Sequence, residues 1–110
     1  MSEFEEHVRE ALDELPPHLA AALENLAVVV EDEHPDDPDL FGLFQGVPLT
    51  ERSSAAPGGL PNKISIYRRP LEESFRNPDD LREEIRITVL HELAHYFGIE
   101  ESRLTELGYD

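Results

Sequence analysis

Cysteine and tryptophan are absent from this 110-residue chain, and methionine occurs once, at the first position. Without cysteine there are no disulfides, no thiolate metal sites and no cysteine nucleophile, so any metal must be held by His, Asp, Glu or backbone oxygen. Basic residues are scarce: nine Lys plus Arg face 25 Asp plus Glu, for a net charge of −16. A field of that sign repels polyanions, which argues against nucleic acid and anionic membrane surfaces as partners. Long apolar runs are missing too. None exceeds the five residues of Leu26-Ala27-Val28-Val29-Val30, far short of the ~20 that cross a bilayer. The opening Met1-Ser2-Glu3-Phe4-Glu5-Glu6 is acidic where a secretory signal is basic and then apolar, so the expected location is the cytoplasm.

A hydrophobic content of 39% supports one core, and the length is too small for two, so residues 1–110 are read as a single domain. Ser2-x-x-Glu5 has the form of a capping box, and Phe4, Val8, Ala11, Leu12 and Leu15 follow at helical spacing. Pro16-Pro17 ends that helix, and Pro17 can open a second one running to Asn25. The β-branched stretch 27–31 reads as a strand, and the acidic, proline-bearing stretch 31–39 as a solvated loop without the ligand spacing of a calcium site. Residues 40–49 are apolar but broken by Gly and Pro, which predicts a packed irregular loop leading into a short extended piece. Residues 53–59 suggest a surface turn, 63–68 alternate as a strand, and 70–75 suit a short helix. Asn77 before Pro78-Asp79-Asp80 is a strong helix start, and the helix is expected to run to Phe97 and stop at Gly98. A last short helix over 101–107 closes the chain. The expected fold is α+β, with N-terminal helices, a small twisted sheet and the long helix packed across it.

The chemistry lies in that long helix. At 100° per residue, His95 falls only about 40° around the axis from His91, with Glu92 about 100° from it. Two imidazoles one turn apart can converge on one ion, and the carboxylate beside them can act as general base, which is the zincin arrangement. Apolar residues surround most of the C-terminal half, which predicts buried imidazoles and a buried carboxylate, and one cation satisfies all three. A catalytic zinc usually takes three protein ligands and a water. Glu101 stands at the spacing His-Glu-x-x-His-x-x-Gly-x-x-Glu, where the extended zincin pattern has its third ligand. Glu100 and Glu106 compete with it for that role.

His91 through Tyr109, HELAHYFGIEESRLTELGY, resembles the signature of a small bacterial family of zincin-like metallopeptidases, the minimal zincins. The likeness extends to residues 43–50. It implies one zinc ion on His91 and His95, Glu92 as base and Glu101 as third ligand, where the family more often carries Asp. The larger extended-motif proteases place a methionine turn after the third ligand. Only nine residues follow Glu101 and none is methionine, so the groove is expected to be shallow or completed by another protomer.

The reading is therefore a zinc-dependent peptidase acting on a peptide or protein substrate. Zinc held by His91, His95 and Glu101 lowers the pKa of its water, while Glu92 takes the proton and delivers it to the leaving amine. An extended substrate is expected along a sheet edge, with the strand over 63–68 as candidate. Tyr96 and Tyr109 read as packing residues, Arg103 as an exposed helix residue, and His7, His18 and His34 as surface positions. The alternative is a catalytically silent, zinc-stabilised binding module with the same fold. A third reading is an acidic interaction protein that binds no metal.

Overall fold

A computed structural model of the chain describes residues 2–46 and 62–98. The helix predicted at the N-terminus is α1, Glu3–Asp13. Its capping box is complete: the Ser2 hydroxyl accepts from the Glu5 backbone N–H at 3.1 Å, and the Glu5 carboxylate accepts from the Ser2 backbone N–H. Phe4, Val8 and Ala11 form its buried stripe. The second helix is shorter than expected. α2 spans Pro17–Ala20 and tightens into a 3-10 turn over Ala21–Leu23. No side chain caps its start, and so short a segment forms too few i→i−4 bonds to offset nucleation.

Three strands make one sheet: β1, Leu26–Glu31; β2, Gly42–Gln45; and β3, Asn62–Tyr67. Their order is β1-β3-β2. β1 runs parallel to β3, and β2 antiparallel, with Gly42 opposite Ile66 and Phe44 opposite Ile64. Two expectations change here. Residues 42–45, within the stretch expected to be a packed irregular loop leading into a short extended piece, are already a strand, because pairing with β3 supplies the hydrogen bonds that a Gly-containing segment does not encode locally. The expected substrate edge over 63–68 is not an edge at all. β3 lies between two partners, paired along its whole length with β1 and over Lys63–Ile66 with β2.

α3, Arg68–Ser74, follows directly, and α4, Pro78–Tyr96, is the long helix. Asn77 Oδ1 accepts from the backbone N–H groups of Asp79 at 2.9 Å and Asp80 at 3.3 Å. Pro78 needs no partner at the first turn, and the two carboxylates face the positive end of the helix dipole. Gly98, at φ 79°, leaves the helical conformation, its N–H bonding the His95 carbonyl at 3.0 Å. Asn77→Ala is expected to cost about 1 kcal/mol of stability, seen in a thermal melt as a fall of ~4–8 °C.

Ile85, Val89 and Leu93 recur every four residues along α4 and are essentially inaccessible to solvent, as are Ile64 and Ile66 of β3 and Leu71 of α3. Phe4, Val8 and Ala11 complete this core from α1. Arg82 and Arg86 of α4 reach Glu10 of α1 and Glu14 at its C-terminal cap at 2.7 and 2.9 Å. The acidic loop after β1 is exposed as predicted, though Asp32 and Glu33 pair with Arg68 and Arg69. His7 and His34 are less superficial than expected. Both are half-buried, and His34 stands edge-on to the Tyr67 ring at 5.8 Å. Among the described residues, no helix is long and apolar enough to cross a membrane.

Candidate metal centre

α4 positions the site by its periodicity. Taking Leu93 as the core direction, His91 and His95 point about 160° away on either side, and Glu92 about 100° away. The expected burial is therefore only half realised. Both imidazoles are half-exposed, turned off the core stripe, whereas Glu92 is 8% exposed. The carboxylate lies on the flank that β2 covers, and that packing, not the helix alone, decides which group is enclosed.

Residues 91, 92 and 95 come together. One ligand atom from each of His91, Glu92 and His95 lies within 4.8 Å of the other two. The rings meet edge to face, with centroids 4.8 Å apart and planes at 73°, and the two Nε2 atoms are 3.1 Å apart. Two nitrogens at the Zn–N bond length of ~2.0–2.1 Å in tetrahedral geometry are separated by about 3.3 Å. The imidazole pair is thus already spaced for one tetrahedral ion. The donor set also suits zinc, since imidazole and carboxylate are ligands it accepts. Glu101, together with Glu100 and Glu106, lies outside the described residues, as do Arg103 and Tyr109.

Beside the His91 imidazole runs a cleft. Leu40, Phe41 and Gly42 line it from the β2 side, and Ile87, Thr88, His91 and Glu92 from α4. The Thr88 hydroxyl donates to the Glu84 carbonyl at 2.8 Å, which turns its methyl toward β2. The cleft residues other than His91 and Glu92 escaped the sequence reading. Thr88 carries a readable signal, three positions before His91 on the same face. Gly42 had one as well, a glycine inside an apolar stretch.

Tyr96 is a packing residue, as its periodicity suggested. It is 1% exposed, its ring stands 5.8 Å from that of Phe44, and its hydroxyl donates to the Ala22 carbonyl at 2.8 Å. Burial pushes the Tyr67 phenol above its ordinary pKa; Ser65 draws it partly back, and the carboxylates of Glu31 and Glu92 push it further up. At neutral pH that phenol stays protonated and brings no charge toward Glu92.

Residues 23–109 match the model of a family described as zincin-like metallopeptidase. The matched segment contains both imidazoles, Glu92 and position 101. No curated protein matches the chain.

Proposed function

The chain belongs to the zincin-like metallopeptidase family, and from that membership we propose that it is a zinc-dependent peptidase with Glu92 as general base. His91 and His95 are the two helix-borne ligands, and Glu101 is the third. A zinc ion bound here supplies Lewis acidity, polarising the scissile carbonyl and lowering the pKa of water. The chain's own residues do the rest. Glu92, held at the cleft wall, accepts a proton from the attacking water on its carboxylate and returns it to the departing amine. Its burial limits competing hydration and keeps the carboxylate in one place, which is what proton transfer over hydrogen-bonding distance requires.

The single observation carrying this reading is the 3.1 Å spacing of the two Nε2 atoms with a carboxylate in the same cluster. β2 is the strand for substrate pairing. It borders the cleft through Gly42, and among the described residues it is paired on one side, by β3. An extended peptide added there gains ladder hydrogen bonds and places one side chain against Leu40, Phe41 and Ile87.

The test is a peptide library incubated with zinc-loaded chain, chelator-stripped chain and stripped chain resupplied with zinc. Cleavage is expected in the first, lost in the second and recovered in the third. Zinc binding without cleavage of any peptide would leave the silent binding module as the surviving reading.

A further inference from the structure

Gly42 is glycine for a reason that its own backbone does not supply. Among the described residues, positive φ occurs at Gly46 and Gly98, not at Gly42, so any residue type can adopt the backbone at 42. What forbids a side chain is space. A Cβ there would lie 2.8 Å from Thr88 Cγ2, 3.2 Å from Glu92 Cγ and 3.3 Å from the Ser65 carbonyl oxygen. Carbon atoms in good contact stand ~3.5–4.0 Å apart, so both α4 neighbours are too close.

The three neighbours differ in how far they can yield. The Ser65 carbonyl belongs to the central strand and is fixed by the sheet. Thr88 is β-branched, stiff at χ1 and anchored by its hydroxyl to Glu84. Glu92 is an unbranched side chain whose end lies at the cleft. Added volume at 42 must therefore push Thr88, the tightest contact at 2.8 Å, off the strand, and it displaces the Glu92 stem, at 3.2 Å, by a few tenths of an ångström in the same movement. We propose that Gly42 is a positioning residue for Glu92: the bare backbone of β2 closes on α4 and leaves the Glu92 stem one seat, between strand and Thr88, from which its carboxylate reaches the imidazoles. The inference rests on the peptidase reading for its catalytic meaning, but the placement of Glu92 is measurable without turnover.

Gly42→Ala tests it in the full, zinc-loaded chain. A crystal structure of the variant is expected to show the Glu92 stem moved by a few tenths of an ångström, where a full ångström of misplacement can cost 10²-fold in rate, with His91, His95 and zinc content unchanged. Turnover is expected to fall through kcat, with KM near that of the parent. A double-mutant cycle supplies the second readout. Gly42→Ala should lower the melting temperature of the parent clearly and that of a Glu92→Ala background less, because the stem that must yield is gone. If Gly42→Ala folds only in the Glu92→Ala background, the same coupling is seen in its extreme form. An unmoved Glu92 in the variant crystal, an equal cost in both backgrounds, or a rate loss that follows zinc content overturns the inference. If the parent cleaves no peptide, the peptidase reading falls, while the crystal structure and the cycle still decide whether Gly42 seats Glu92.

Discussion

His95→Ala is expected to take bound zinc from one ion per chain to nearly none, and to abolish the rise in melting temperature that zinc gives the parent. The helix supplies two nitrogens 3.1 Å apart, and chelation by such a pair is lost when either is removed. A ligand that binds the folded state alone stabilises it by RT ln(1 + [L]/Kd), or ~4 kcal/mol at a thousandfold excess over Kd. In a domain of this size each kcal/mol is worth ~4–8 °C, so a shift of this size is readily measured. The substitution itself removes little packing, because His95 is half-exposed and turned away from the Ile85, Val89 and Leu93 stripe. The zinc-free parent and the zinc-free variant should therefore melt close together. Elemental analysis after dialysis, beside melts with and without zinc, checks both halves. Equal zinc in variant and parent would remove His95 from the ligand set.

Glu92→Gln is expected to lower kcat by ~10²–10⁴, the usual worth of general base catalysis, while leaving one zinc per chain. Gln occupies the same volume in the same 8%-exposed position but cannot take a proton from water at neutral pH. The two imidazoles proposed as ligands are untouched. Turnover and zinc content thus separate in this variant and fall together in His95→Ala. Unchanged turnover would exclude Glu92 as the base.

Much of this fold was legible because its signals are local. The Ser2 and Glu5 capping box, Asn77 before Pro78, and Gly98 after α4 each satisfy backbone groups within a few residues, so the sequence alone marks those helix ends. The β-branched run of β1 and the alternation of β3 were equally readable. β2 was not. It is a strand because Gly42 to Gln45 find partners in Ile66 to Lys63, and nothing within the segment states that partner. For the same reason the 63–68 strand passed for an edge, when the order β1-β3-β2 places it in the middle.

What the sequence determined by itself is which three helix side chains come together. His91, Glu92 and His95 share one side of a helix because 3.6 residues make a turn, whatever surrounds it. Tertiary structure decided which of the three is enclosed and by what. β2 covers the Glu92 flank, leaves both imidazoles half-exposed and comes so near α4 that a Cβ at Gly42 would lie 2.8 Å from Thr88 Cγ2. Helical spacing acts over a few residues, whereas enclosure depends on a strand remote in the chain whose pairing places it against the helix.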